Sequence, residues 1–423
     1  MKKIGIVADD ITGSQDIGIM YKKKGLITDI YHGEFDTIQN DCDVLIINTD
    51  SRFDSQEVAY RKVKDAVYKL KRAGCTQFLN KTCSVLRGNI GAEFDAMSDA
   101  LNTTFAVVVE AFPENGRTTI GGIQYLNETP IHETFFKDDP LNPVIISNIS
   151  DIIHLQSKGK VKCLTLEDVR KGANFISDKL DMWRKEYNYV VVDAQTQEDL
   201  AIIANAIKDE KYIACSSGIA QELAMYVHST QNNHHTINNQ NKESGILILS
   251  GSVTSKTRIQ IDAYEKESIN DSIKINPLDC LYEKRLIEEA KYQEIIKSLK
   301  KGGSYLIYFK NETSDIQTYQ EKAIKLGLSI EEASQKLSKS LAKLANAIIK
   351  DSKVTNIVVA GGDTSAQVLN EMDIHVVQLL DEIDIGVCSS FALKRSEIVF
   401  ILKSGSFGND NFFKTCIQYF KRE

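Results

Sequence analysis

Short, nearly unbroken runs of Val and Ile recur along this chain, and longer amphipathic stretches separate them. In the first half the runs are IGIVA (4–8), DVLIIN (43–48), FAVVV (105–109), YVVVDA (189–194) and YIACS (212–216). Runs without polar alternation fit strands covered on both faces, and their alternation with helical stretches specifies an α/β architecture with mainly parallel strands. Residues 55–73 carry Val58, Val63, Val67 and Leu70 near helical spacing, with Asp54 or Ser55 as the cap. The pattern resumes in the second half with ILILS (246–250), SYLIYF (304–309), NIVVA (356–360), IHVVQL (374–379) and IVFIL (398–402), and with helices near 283–300 and 329–350. The segment IQYLNETPIHETFF (123–136) reads as a β-hairpin, with His132 as a surface strand residue.

The chain has 423 residues, more than a single core usually organises. Its clearest break is HSTQNNHHTINNQNKESG (228–245), polar, rich in Asn and without periodicity. The expected organisation is therefore 1–230, a linker 231–244 and 245–423. Each domain should hold a mainly parallel sheet flanked by helices, with a hairpin insertion in the first. His234 and His235 belong to the linker and read as neutral linker composition. Asp138 and Asp139 mark a generic turn.

Several function classes are disfavoured. With 51 basic and 58 acidic residues the net charge is −7, and no local basic patch offsets it, so no nucleic-acid partner is expected. No apolar window approaches the roughly 20 residues of a membrane span. Asp9 and Asp10 close the short run that follows the two N-terminal lysines, so no signal peptide is read there. The eight cysteines are scattered in apolar contexts and read as reduced thiols of a cytoplasmic protein.

Glycine-bearing turns follow strand-like runs in SSGIA (216–220), SGSVTSKT (250–257), AGGDTSAQVL (360–369) and KSGSFGND (403–410). AGGDTS places Gly361 and Gly362 before a helix that starts with Asp363, Thr364 and Ser365. Such a start offers unpaired N–H groups to a phosphate. Ser250, Ser252 and Thr254 supply hydroxyls, and Lys403 precedes Gly405. Each turn alone is also an ordinary strand-to-helix connection. GxGxxG and GxxxxGK[ST] are both missing, which disfavours a dinucleotide fold and a P-loop kinase.

The first half gathers charge instead. ADDITGSQD (8–16) ends a strand in Asp9 and Asp10, which could bind hydroxyls or magnesium, act as a base, or simply cap the next helix. NTDSR (48–52) adds Arg52. NKTCSVLRGNIGAEFDA (80–96) presents Lys81, Ser84, Arg87 and Asn89 before a helix with Glu93, and AFPENGRTTIGG (111–122) supplies Arg117. Arginine forks pair with carboxylates, so an acid is the natural guest.

Together these blocks resemble the four-carbon acid sugar kinase family, in one order along nearly the whole chain, with ETFFKDDPLNPV, VVDA (191–194) and SGSVTSKTRIQ among them. The resemblance implies an N-terminal sugar-acid-binding domain (1–230) and a C-terminal nucleotide-binding domain (245–423). It implies a kinase that phosphorylates a hydroxyl of a small sugar acid such as threonate, erythronate or 3-oxo-tetronate. ATP would be the co-substrate and Mg²⁺ the metal, and a homodimer stays open. By the same resemblance, Asp10, Arg52, Lys81, Ser84 and Arg87 match the acid pocket. Ser252, Gly361, Gly362, Asp363, Thr364 and Gly405 match the nucleotide turns. Ser250, Asp9 and Arg117 join these sets from the residue reading.

Two departures stand out. The family block usually reads Lys-x-Asp-Ser-Thr-Leu-Arg-Gly, where this chain has Cys83 and Val85, and Glu110 replaces a Pro before Ala-Phe-Pro. Phosphoryl transfer needs no covalent nucleophile, so Cys83 is not assigned that role. The implied mechanism is in-line transfer, with Arg52, Arg87 or Arg117 on the carboxylate and Asp10 orienting or deprotonating the hydroxyl. Glycine turns would hold the nucleotide, and domain closure would exclude water. The rival readings are a sugar-acid-binding protein without catalysis and a dinucleotide-dependent oxidoreductase of doubly wound fold.

Overall fold

A computed structural model of the chain describes residues 2–38, 41–138, 143–229, 243–266 and 271–422. Two compact units divide it, Met1–His234 and His235–Glu423. Residues 231–242 of the expected linker, including His234 and His235, lie outside the described residues, as does Asp139.

The first unit contains β1 (Ile4–Ala8), β2 (Thr28–Tyr31), β3 (Val44–Asn48), β4 (Gln77–Lys81), β5 (Ala106–Val109), β6 (Arg117–Ile120), β7 (Ile123–Leu126), β8 (Thr129–Pro130), β9 (Val161–Leu164), β10 (Tyr189–Val192) and β11 (Tyr212–Cys215). A parallel sheet runs in the order β2-β3-β1-β4-β11-β5-β10-β9. The runs IGIVA, VLIIN and AVVV are buried along their whole length, as two-sided coverage demands. Register sets their ends level. Ala8 pairs with Asn48 on one side and with Lys81 on the other, and Lys81 pairs with Cys215. From β1 the chain crosses through helix Ile11–Lys22 to β2, whereas from the neighbouring β4 it crosses through helix Ile90–Leu101 toward β5 on the opposite side. Crossovers that part in this way open a crevice at the carboxyl ends of the two strands.

β6, β7 and β8 form a small antiparallel sheet. Its first turn is Gly121–Gly122, with φ of 61° and 73°, the left-handed pair that a two-residue hairpin of this kind requires. The hairpin expected at 123–136 is thus displaced toward Arg117. Pro130 has no N–H to donate to a continuing ladder, and Ile131–Glu133 and Phe135–Asp138 turn as 3-10 helices. His132 accordingly stands on a turn rather than a strand, with its backbone N donating to Ser147 Oγ at 3.0 Å and Nδ1 2.7 Å from the same oxygen.

The second unit contains β12 (Ile246–Ser250), β13 (Asp271–Ile275), β14 (Ser304–Phe309), β15 (Asn356–Ala360), β16 (Val376–Asp384), β17 (Val387–Ala392) and β18 (Arg395–Lys403). Their order is β13-β14-β12-β15-β18-β17-β16. The first five in this order are parallel, and β17 runs antiparallel to both of its neighbours. Ser250, Ala360 and Lys403 are level with one another. β12 and β15 again depart to opposite sides, toward β13 and β16. Helix Ile330–Ser352 starts at a reciprocal cap between Ser329 and Glu332. The helix expected from 283 starts only at Glu289, because Glu283 adopts a left-handed φ of 52° that no helix continues through. Ser55, not Asp54, caps helix Gln56–Arg72, and Asp54 pairs with Lys62 instead.

Asp193, just beyond β10, accepts hydrogen bonds from Gly121 N at 2.7 Å and Gly122 N at 2.9 Å, so it anchors the hairpin that begins at Arg117. Asp193→Ala leaves two turn N–H groups without their acceptor. It is expected to destabilise the first unit by about 1–3 kcal/mol, read as a lower urea midpoint at unchanged slope.

Candidate functional site

Strand ends in the first unit bring Asp9, Asp10, Arg52, Lys81 and Ser84 to the crevice at β1 and β4. Arg52 is already engaged there. Its Nε and Nη2 donate to Asp9 Oδ2 and Oδ1 at 2.7 and 2.8 Å, and Nη1 donates to Asp10 Oδ2 at 2.6 Å. Asp10 also caps helix Ile11–Lys22 by accepting from Gly13 N at 2.6 Å, and it accepts from Thr12 Oγ1 at 2.9 Å. Capping and charge pairing, alternatives in the sequence, are performed by one side chain.

Lys81 is buried, donates to Thr82 O at 2.6 Å and lies 3.8 Å from Asp16 Oδ2. Asp16 sits one and a half turns into the helix that Asp10 caps, where Ser217 Oγ donates to its Oδ2. Its Oδ1 is buried and has no hydrogen-bond partner. Asp16 was not singled out from the sequence. The signal for it is the run Thr12, Ser14, Gln15 and Asp16, four polar residues on a helix whose turns 11–21 are buried throughout. Arg117 is buried as well, with Nη1 donating to Asn115 O at 2.9 Å and Nε without a partner. Arg87 stacks over the Phe136 ring at 5.7 Å.

Burial and neighbouring charge set the ionisation of this crevice. Burial pushes the Asp10 carboxyl up, but Arg52 and Lys81 outweigh it and hold the group below its ordinary range. Asp16 is displaced the other way, because burial exceeds the help of Lys81 and Ser217. Burial raises Glu93 to about 8, assisted by Asp9, against the hydrogen bond from Ser51 Oγ at 2.8 Å. Glu110, which accepts from Thr82 Oγ1 at 2.6 Å, is raised by burial to about 7. Cys83 is also buried, which alone would push its thiol up. Arg52 and Arg87 reverse that and bring it to about 7.

The turns of the second unit converge because their strands end level. A Cβ on Gly405 would stand 2.5 Å from Ser252 Oγ, one on Gly251 would stand 2.1 Å from Thr364 Oγ1, and one on Gly361, at φ 125°, would stand 3.3 Å from Ser252 N. Glycine is what permits these turns to approach one another so closely. Thr254 caps helix Ser255–Glu265 by accepting from Thr257 N, whereas no side chain caps helix Gly362–Glu371 behind Gly361. The second helix start, with Gly362, Asp363 and Thr364 in its first turn, therefore presents the positive end of its dipole at the turns without a side-chain cap. Ser250 Oγ is buried beneath these turns without a hydrogen-bond partner. SSGIA belongs elsewhere. Gly218 lies against Ala111 and Phe112 in the first unit, and Ser217 serves Asp16. Among the described residues no group of three or more His, Cys, Asp or Glu gathers as metal ligands, and no helix is long and apolar enough to cross a membrane. A groove of about 700 Å³ along helix Ile330–Ser352 shares no residue with the turns.

Residues 4–223 match the model of a sugar-binding N-terminal domain, and residues 247–413 match that of a nucleotide-binding C-terminal domain. The chain belongs to the four-carbon acid sugar kinase family. It is 29% identical to a 3-oxo-tetronate kinase of Haemophilus influenzae over 417 residues, covering 97% of this chain and 98% of that one. Identity is 29% to a D-erythronate kinase of Heliobacterium modesticaldum, covering 99% and 97% of the two chains. It is 27% to a D-threonate kinase of Salmonella typhimurium, covering 99% and 98%. A solved Haemophilus influenzae protein, 28% identical, superposes with a TM-score of 0.76 over 98% of this chain and 100% of its own. This family member is accordingly a phosphotransferase acting on a hydroxyl group.

Glu93 gives the crevice a pH signature. Its folded value, about 8, lies above the ordinary 4.5, so between those values the native state binds more protons than the unfolded chain. Stability contributed by this group then falls as pH rises through that window. Glu93→Gln removes the dependence. Its stability relative to the parent is expected to be more favourable at pH 8.5 than at pH 5 by more than about 1 kcal/mol, measured by urea unfolding at both.

Proposed function

We propose that this kinase transfers the γ-phosphoryl group of ATP to a hydroxyl of a small sugar acid of the threonate, erythronate or 3-oxo-tetronate type. The observation that carries the acid half of this reading is Arg117, buried beside the Lys81–Asp16 pair with Nε unpartnered. A carboxylate is the group that satisfies such a donor. Similarity to the three named kinases over nearly their full lengths supports the four-carbon class.

In this reading Arg117 and Arg87 hold the carboxylate, and Lys81, with Ser84 beyond it, donates to substrate oxygens. Arg52 is tied to Asp9 and Asp10, so that trio acts as a rigid wall that orients the acid. Asp10 keeps an orienting role, since both of its oxygens already accept hydrogen bonds and its charge is stabilised. Asp16 is the better proton acceptor, having one oxygen without a partner and a carboxyl raised toward neutrality. The substrate hydroxyl oxygen bonds to the γ-phosphorus as the bond to the β-bridging oxygen breaks, its proton passes to the carboxylate, and ADP leaves. Ser250, Ser252, Gly361, Gly362, Asp363, Thr364 and Gly405 line the turns assigned to the nucleotide. Of the residues on these turns Asp363 would be the carboxylate to hold Mg²⁺, which would neutralise phosphate charge.

ADP release measured across a panel of four-carbon acids tests the assignment, and acids that bind without stimulating ATP turnover would instead support a sensor. Asp16→Asn is expected to lower kcat by about a hundredfold or more with little change in KM, if it accepts the proton. Asp10→Asn, which frees Arg52 from one partner, should lose turnover and raise KM together. Arg117→Ala should raise KM for the acid by roughly tenfold to a hundredfold and leave KM for ATP unaffected.

A further inference from the structure

Lys403, the last residue of β18, is fully buried. It continues the apolar row of Val399 and Ile401, which faces the same core as Phe412, Phe413 and Cys416. A lysine at the top of such a row should be an exposed tip or one half of an ion pair. Lys403 is neither. Its Nζ lies 3.1 Å from Thr257 Oγ1, 3.0 Å from Ser404 O and 3.3 Å from Gly405 O, all neutral oxygens, of which the ammonium can serve three and the neutral amine two. The groups facing it are few. Helix Ser255–Glu265 brings Lys256, which is paired with Asp410 at 2.6 Å. Helix Phe412–Phe420 brings the Phe412 ring at 5.7 Å and the Cys416 thiol, which burial keeps protonated. Helix Gly362–Glu371 carries Asp363 and Glu371, and neither forms an ion pair with Lys403. Among the described residues no carboxylate lies within ion-pair reach of it.

A buried ammonium with no counter-charge is costly, and such a group sheds its proton unless an anion arrives. Burial accordingly brings Lys403 down to about 7. Its place in the fold says where an anion would arrive. The carbonyl of Gly405 that Lys403 contacts also accepts from Thr254 Oγ1 at 2.7 Å and Thr257 Oγ1 at 2.8 Å. Gly405 in turn abuts Ser252, and Ser252 abuts Gly361 and the uncapped helix start. Lys403 thus lies against the Ser404–Gly405 turn where the three turns meet.

We propose that Lys403 is the positioning cation of the nucleotide site, supplying charge to the phosphate chain through the Ser404–Gly405 turn and taking up a proton from solvent when nucleotide binds. This inference rests on the nucleotide reading given above and adds to it the group that carries the charge. It explains how a phosphate site can work with no P-loop lysine. Backbone amides make the contacts, and one ammonium beneath them balances the charge.

Titration calorimetry of Mg–ADP with the full chain at pH 8, repeated in buffers of different ionisation enthalpy, tests this directly. The parent protein should take up nearly one proton per nucleotide, because a group near 7 is mostly neutral at pH 8 and becomes charged on binding. Lys403→Met should bind about tenfold or more weakly and take up none. Lys403→Arg, which stays charged in both states, should restore affinity without proton uptake, an outcome that a merely structural clamp does not predict. Binding by the parent without proton uptake would overturn this inference alone, even if Lys403→Met failed to fold. Equal uptake by Lys403→Met and the parent would do the same. A complete lack of Mg–ADP binding to the parent would overturn the nucleotide reading and this inference with it.

Discussion

Hydrogen-bond ladders between parallel strands fix the level at which each strand stops, and both candidate sites inherit their geometry from that constraint. Side chains in the body of a sheet covered on both faces cannot meet a ligand, so chemistry is confined to the residues just past the ladder. In the first unit the pairing of Ala8 with Asn48 and Lys81, and of Lys81 with Cys215, makes four chain exits converge. In the second, the level ends of Ser250, Ala360 and Lys403 do the same for three turns. A slip of one residue in any of these pairings would move its exit by about 3.3 Å and turn its side chain to the other face. Side-chain chemistry is therefore secondary here. The ladder decides which residues can cooperate at all.

In the proposed reading the two units solve the binding of an anion differently. The first gathers Arg52, Lys81, Arg87 and Arg117 and balances them only partly, since Glu93 and Glu110 are raised toward neutrality by burial. In that reading an incoming carboxylate would complete a charge balance that the protein leaves short. Asp9 and Asp10 keep Arg52 ordered rather than neutralising the crevice, because each holds a defined edge of the guanidinium. The second unit gathers amides and hydroxyls, with glycine at each close approach. Phosphate is a larger, more diffuse anion, and a concave set of N–H dipoles fits it without the steric demand of long cationic side chains.

Apolar strands were legible because burial on both faces leaves an unmistakable run of Val and Ile. The strand that matters most was not. QFLNK, which forms β4, carries Gln77, Asn80 and Lys81, and it lies buried between β1 and β11. Gln77 satisfies itself on the carbonyls of Lys208 and Glu210, while Lys81 belongs to the crevice. Those polar letters that hide the strand are the ones that give it a task. β17, VCSSFA, was missed for a related reason: Ser389 is buried against Asp381 and Tyr419, an interaction between distant residues that no local pattern announces. The hairpin was seen but displaced, since the alternation after Gly122 was read without weighing the Gly121–Gly122 pair as its turn. Arg52, one of the three arginines expected at the carboxylate, is paired with Asp9 and Asp10, a matter of three-dimensional proximity that spacing does not reveal.

Cys83 illustrates how such a crevice can accept a residue that departs from the usual block around it. A thiol is a weaker acid than a carboxyl by several units in water, so replacing an acid by Cys would normally remove a negative charge. Between Arg52 and Arg87, however, the thiol is brought to about 7, and the position becomes partly anionic near neutral pH. Two arginines of the crevice thus give the thiol part of the charge that a carboxyl would carry, Arg52 doing so while it is paired with Asp9 and Asp10. In the proposed reading, a carboxylate held by Arg87 would add negative charge beside Cys83 and favour its protonated form. Substrate binding and the ionisation of Cys83 would then oppose each other through Arg87, a coupling that a fixed carboxylate at the same position would express far more weakly.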